Sequence, residues 1–245
     1  MSKCLLKNEE YLFAYKVLSS VYSYPHTDML YDIYKNISFK NRNNALNIGA
    51  GGAFFDMKIS KDFQNYYVIE PNLEATKSYH KEWHIINSDF QDTNLETKFD
   101  FIVISHVLYN MNAQEIKCFI EKAHNLLSDD GILLILHHSP IESSLNTIVT
   151  NFCPELFNVE KFINTFLKEN LITFTTNRLH SKVRIESDEE LKIFLKFLLY
   201  EDTYNFYENK HSFKDDVDQY IQNYVNESHK PYLLDTNHIC YLISK

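Results

Sequence analysis

Glycine is nearly absent from this chain: there are four in 245 residues, and Gly49, Gly51 and Gly52 fall within four positions of one another. Cysteine is equally sparse. Cys4, Cys118, Cys153 and Cys240 are scattered with no Cys-x-x-Cys pair, which argues against a disulfide frame or a thiolate zinc site and points to reduced thiols in a cytoplasmic setting. Basic residues are outnumbered, 24 Lys and Arg against 33 Asp and Glu, and no basic stripe stands out, so nucleic acid is not expected as a partner. Long apolar runs are missing too. The aliphatic run Ile132 to Leu136, which no other exceeds in length, is far short of a membrane span, and charge enters the N-terminus too early for a secretory h-region. What remains is ordinary globular composition, 44% hydrophobic and 23% charged, at a length that fits one domain.

The apolar pattern alternates between two periods. Apolar residues at helical spacing run from Glu9 to Tyr22, and a second short helix is expected from His26 to Tyr34. Strands are then expected at Ala45–Ile48, Tyr66–Ile69, Ile85–Ile86, Phe101–Ser105 and Ile132–His138. Helices should lie at Pro71–Glu82 and Ala113–Leu127, with Ser128-Asp129-Asp130-Gly131 as a turn. Such alternation means βαβ units and a mostly parallel sheet between helical layers. Further on, a helix at Val159–Lys168, a strand at Leu171–Arg178, two helices (Ser187–Tyr200, Lys214–Val225) and a last strand at Ile239–Ser244 complete the chain. The expected organisation is a single domain over 1–245, with an N-terminal helical lid (1–40), a cofactor-binding core (44–138) and a helical insertion (185–235).

The glycines mark where that core should bind a ligand. Gly49-Ala50-Gly51-Gly52 follows the first strand directly, where a tight turn lets a ligand lie against bare backbone. Glu70 ends the second strand, 21 residues beyond Gly49, where a carboxylate can accept both hydroxyls of a ribose. Asp89 ends the third strand and could take an adenine amino group, with Phe90 packing the base edge. Two adenosine-bearing ligands fit these positions, a dinucleotide and S-adenosyl-L-methionine. The dinucleotide fingerprint places a third glycine where this chain has Phe54, and no second mononucleotide half is visible.

In Leu46-Asn47-Ile48-Gly49-Ala50-Gly51-Gly52, Val68-Ile69-Glu70-Pro71, Ser88-Asp89-Phe90, Phe99-Asp100-Phe101-Ile102 and Leu127-Ser128-Asp129-Asp130-Gly131-Ile132-Leu133, the chain resembles the class I S-adenosylmethionine-dependent methyltransferases. The resemblance implies a Rossmann-like α/β three-layer sandwich, with a seven-stranded mostly parallel sheet whose last strand is antiparallel. It also implies S-adenosyl-L-methionine as cofactor, bound by Gly49, Ala50, Gly51, Glu70, Pro71, Asp89, Phe90 and Ser105. A fainter similarity to the histamine N-methyltransferase family rests on Asp56 after the glycine turn, Leu108-Tyr109 and the run from Phe194-Leu195 to Asn205-Phe206. It places Asn237 where that family has a substrate-contacting Asn and His106 in place of a substrate-contacting Gln, while Ala75 replaces a cofactor-contacting Gln.

Methyl transfer is an in-line displacement at a sulfonium carbon, so the protein chiefly aligns the acceptor and excludes water. Ligands sit beyond the strand C-termini, which makes His106 and Tyr109 the candidate catalytic residues and Tyr11, Tyr15, His106, Tyr109, His138 and Asn237 the candidate substrate contacts. His137 is a weaker candidate, since neighbours on a strand face opposite ways. The aromatic and acidic segment Glu201–Tyr207 could form a wall for a cationic amine. No His-x-x-x-His or carboxylate spacing announces a metal, and none is expected. The expected partner is a small-molecule acceptor, most simply an amine nitrogen. An oxygen acceptor, a peptide or protein acceptor, a dinucleotide-dependent oxidoreductase and a non-catalytic binding subunit are the alternatives.

Overall fold

In the strand Phe99–Ser105 (β4), Phe101 and Val103 pack to one side and Ile102 and Ile104 to the other, the alternation expected of a sheet covered on both faces. The computed structural model describes residues 13, 14, 16, 17, 20–109, 111–141, 143–154, 157–207 and 213–245, the side chains of 201–207 excepted. Strands β1 (Asn44–Ile48), β2 (Asn65–Ile69), β3 (His84–Ile86), β4, β5 (Leu127–Ser139), β6 (Phe174–Ile185) and β7 (Tyr232–Ser244) form one sheet ordered β3-β2-β1-β4-β5-β7-β6. The first five strands run parallel, and β7 enters antiparallel between β5 and β6. The helices are α1 (His26–Lys35), α2 (Asp56–Ile59), α3 (Leu73–Thr76), α4 (Ala113–Asn125), α5 (Ser144–Phe152), α6 (Val159–Glu169), α7 (Asp188–Tyr207) and α8 (Phe213–Glu227).

Burial of apolar surface sorts these into layers. Ile116 and Phe119 of α4 and Ile163 and Phe166 of α6 cover Ile102, Ile104, Leu133, Ile135 and Tyr241 on one face. Leu30 and Ile33 of α1, with Phe55 and Ile59, cover Ala45, Val68, Phe101, Val103, Leu134 and Cys240 on the other. The β6–β7 ladder runs on past the end of β5. Its outer residues, Val183, Ile185, Tyr232 and Leu234, are buried by α5, α7 and α8 in a third cluster.

Several elements differ from expectation for local reasons. The helix after Pro71 is one turn, capped by Asn72, whose side chain accepts the Glu74 N–H, before the chain tightens into i→i+3 bonds at Ser78 and Tyr79. The residues Ser128–Gly131 do not form a turn. They stay in β5 as a bulge, with Phe99 paired to Leu127 and Phe101 to Ile132. Asp100 holds the bulge, its carboxylate accepting the N–H groups of Asn43 (2.7 Å) and Asn44 and the Ser128 hydroxyl. Strands β6 and β7 are longer than their hydrophobic runs because full pairing satisfies their polar residues, and α5 was not anticipated.

Helix α6 ends in an unfavourable residue. The Ile172 N–H reaches back to Leu167 O and the Leu171 N–H to Lys168 O, which places Leu171 at φ +55 with its side chain 91% exposed. A left-handed leucine with nothing to pack on costs about 1 kcal/mol relative to glycine. Leu171→Gly is therefore expected to raise the melting temperature by roughly 2–4 °C, read by differential scanning calorimetry.

Candidate active site

Strand β1 feeds straight into the glycine turn. Gly49 lies at φ +75, and a β-carbon there would stand 2.5 Å from Val107 Cγ2. Gly51 lies at φ +52 with nothing within 4 Å of the position its β-carbon would take, so the turn presents open backbone at that point. Glu70 braces it from β2. One carboxylate oxygen accepts the Gly51 N–H (2.9 Å) and the other the Asn72 N–H (2.9 Å), while Tyr79 donates its hydroxyl to Gly51 O (2.6 Å). Burial raises the Glu70 pKa, and the two backbone bonds oppose that rise.

A second acid lies beneath the turn. Asp56, at the start of α2, is buried and accepts both contacts of the Asn47 amide (2.8 and 2.9 Å) and the Tyr66 hydroxyl (2.8 Å). Burial lifts its pKa to about 6, against the pull of those bonds. A carboxyl raised in the fold favours the native state fully below its unfolded value near 4, and that contribution is lost as the pH rises through 6. Two units correspond to about 3 kcal/mol. The buried histidines described below act in the opposite sense, so the comparison is best made as a difference. The stability of the native protein relative to Asp56→Asn should fall by about 3 kcal/mol between pH 4 and pH 7 in urea titrations.

The corner expected to take the adenine is partly committed to packing. The Phe90 ring sits against Phe119 (4.8 Å) under the Lys122 ammonium, which also bonds to the carbonyls of Phe90, Gln91 and Thr93. Asp89 is half-buried at the head of this short helical turn, Pro71 is exposed and Ser105 is half-buried at the end of β4. Phe54 is half exposed, in keeping with a turn that needs no third glycine for packing.

Beyond β4 and β5 the expected acceptor residues converge only in part. His106 has a left-handed backbone (φ +57) that turns its ring onto the α1 face, where it stacks on His26 at 4.0 Å. Its Nδ1 and the Tyr109 hydroxyl share a hydrogen bond of 2.6 Å. His138 joins them, its ring 4.8 Å from His106, while His137 packs on Tyr109 at 4.4 Å. Asn237 does not join. It pairs with Ser139 and shares that residue's face of the sheet, toward α6, where its amide bonds to Ile141 O and His180. Its neighbour His238, directly opposite His138, takes the place on the α1 face. Tyr11 and Tyr15 lie outside the described residues, as do the side chains of 201–207.

His26 and His238 were not anticipated, and although no spacing announced a metal-ligating set, His26, His106, His138 and His238 lie close enough to share an ion. No spacing could have shown it, because the four come from different elements. Burial lowers the pKa of His26 and His137 to about 3 and of His138 to about 4, and holds His106 and His238 well below the usual range, so all five rings are neutral at pH 7.

A methyltransferase-domain family matches residues 46–135, from the start of the glycine-turn strand to the middle of β5. Residues 46–135 match a methyltransferase domain, which supports S-adenosylmethionine-dependent methyl transfer. No curated protein matches the sequence. Among solved structures, the chain is similar to the YcgJ protein of Bacillus subtilis (12% identity, TM-score 0.60, 90% of this chain and 99% of that one). It is also similar to a cyclopropane-fatty-acyl-phospholipid synthase-like protein of Lactobacillus casei (11%, 0.59, 95% and 92%). A third likeness is to the mycolic acid cyclopropane synthase CmaA1, solved with S-adenosylhomocysteine (11%, 0.51, 87% and 84%). At these identities the likeness is one of fold. The matched domain implies S-adenosyl-L-methionine as cofactor, and the residues fit it: Gly51 leaves backbone open and the Glu70 oxygens flank that opening. Among the described residues no helix is long and apolar enough to cross a membrane.

Proposed function

We propose that this methyltransferase transfers its methyl group to a nitrogen of a small amine-type acceptor held beyond the C-terminal ends of β4 and β5. Bound S-adenosylmethionine supplies an activated sulfonium methyl and its own leaving group. The chain's residues then have to orient an acceptor whose lone pair is free. The observation that carries the reading is the Tyr109–His106 pair beside a wall of neutral rings. A phenol oxygen accepts two hydrogen bonds, so Tyr109 can take an N–H of the acceptor alongside its bond to His106 and aim the nitrogen at the methyl group. The imidazoles, being uncharged, add no charge of their own to repel an amine or to hold it as a salt. Gly49, Ala50, Gly51, Glu70, Pro71, Asp89 and Ser105 hold the cofactor in this reading, and Phe90 supports that corner from beneath.

The test is a methyl-transfer screen over small amines, phenols and short peptides with radiolabelled cofactor, run alongside Tyr109→Phe. Transfer to amines that falls at least tenfold in kcat/KM in the variant, with S-adenosylhomocysteine binding kept, supports the reading. Transfer confined to phenols or peptides would replace it.

A further inference from the structure

Four imidazoles from four separate elements meet on the α1 face of the sheet. His26 opens α1, His106 follows β4, His138 lies on β5 and His238 lies opposite it on β7. Their rings form a closed group: the six centroid separations run from 4.0 to 5.8 Å, and one nitrogen of each lies within 4.8 Å of a nitrogen of every other. Yet no two of them hydrogen-bond. The Nε2 atoms of His26, His106 and His138 and both nitrogens of His238 are buried without a partner, and His238 is wholly inaccessible.

Buried polar atoms in a folded core are nearly always satisfied, and five unsatisfied nitrogens in one group call for an explanation. Tautomer choice does not supply one, since each neutral imidazole carries one donor and one acceptor and none finds its complement here. Protonation does not either. The groups acting on His106 are the other four histidines, with no carboxylate among them to balance an imidazolium. Burial instead keeps the rings neutral, which is the form that ligates metals. His106 also has the outer partner that ligating histidines have: its Nδ1 is bonded to the Tyr109 hydroxyl, which orients the ring and leaves Nε2 facing the group.

We propose that His26, His106, His138 and His238 bind one divalent transition-metal ion, zinc being the best match to four neutral nitrogen donors. Imidazole sets suit zinc and its neighbours, whereas magnesium and calcium demand oxygen ligands that the set lacks. Tetrahedral zinc–imidazole bonds place the ligand nitrogens roughly 3.4 Å apart, so the rings close in by a little over an ångström at most. Four protein ligands make a closed site, and its role is structural. It ties α1 to β4, β5 and β7 one residue from Val107, which packs on Gly49 of the cofactor turn. This holds whatever the acceptor is.

The experiment uses the full chain, stripped of metal with a chelator that is then removed, and titrated with Co2+ followed by its visible spectrum and with Zn2+ by calorimetry. The expected result is one equivalent of either ion, a tetrahedral Co2+ spectrum that Zn2+ displaces, and a melting temperature that rises with metal. His26→Gln and His106→Gln should each weaken Zn2+ binding at least tenfold, and the surface variant His80→Gln should not. S-adenosylhomocysteine binding serves as the check of folding for His26→Gln. A protein that binds S-adenosylhomocysteine but takes up neither ion at one per chain overturns the proposal, as does uptake that survives the His26→Gln/His106→Gln double variant. Metal uptake without S-adenosylhomocysteine binding would leave this site standing and put the cofactor site in question instead.

Discussion

Replacing Glu70 with alanine is expected to lower the affinity for S-adenosylhomocysteine about a hundredfold by calorimetric titration. The buried carboxylate already accepts two backbone N–H groups, from Gly51 and Asn72, and so fixes the turn proposed to carry the cofactor. Hydrogen bonds to a charged group contribute roughly 1.5–3 kcal/mol each, and a loss of about 2.7 kcal/mol in binding is a factor of a hundred. Two roles are bound up in that figure, bracing the turn and, in the proposed site, receiving the ribose hydroxyls, and Glu70→Gln separates them. Glutamine keeps one oxygen for one of the two N–H groups but turns an NH2 toward the other. Affinity should therefore recover only in part, while the melting temperature recovers more. If Glu70→Ala binds within threefold of the native protein, Glu70 has no part in the cofactor site.

The glycine turn and the acid that braces it were legible in the chain because their signals are local. A glycine turn reports a backbone need at one strand end, and an acid at the next strand end reports a ligand group 21 positions on. The order of alternating elements likewise fixes most of the sheet. The acceptor half was only partly legible. His106 and Tyr109 follow a strand end and His138 lies at one, so that rule finds them, but His26 and His238 are single histidines, between Pro25 and Thr27 and between Asn237 and Ile239, with no motif around them. Only the register that sets His138 opposite His238, and the left-handed backbone that turns His106 across the sheet, bring them together. Asn237 shows the converse. It is one residue from the right position, and in a strand one residue is the opposite face. The bulge at Ser128–Gly131 was misread because its composition is that of a turn, while the pairing that keeps it in the sheet comes from the partner strand and from Asp100.

That bulge carries the largest stability effect expected of a single methyl group. At Gly131 an added β-carbon would stand 2.6 Å from Phe99 O and 3.0 Å from both the nitrogen and the oxygen of Ser128. All three are backbone atoms, Phe99 O at the β4–β5 ladder and Ser128 within the bulge that Asp100 holds, so no rotamer change can relieve the contact and the backbone itself must shift. Overpacking of this kind costs about 3 kcal/mol, and Gly131→Ala should lower the melting temperature by roughly 10 °C. Gly51→Ala is the matched comparison. Its β-carbon would meet nothing within 4 Å, so its cost is confined to the left-handed backbone, about 1–2 kcal/mol. The two variants should also differ in kind. Gly131→Ala would lose stability and keep cofactor affinity in the folded fraction, because the bulge opens at the far end of the sheet, where β4 begins. Gly51→Ala would keep most of its stability and lose affinity, because its new methyl group projects into the open side of the turn. Equal stability losses in calorimetry would mean that the bulge is free to relax, and that Asp100 and its three hydrogen bonds do not hold it.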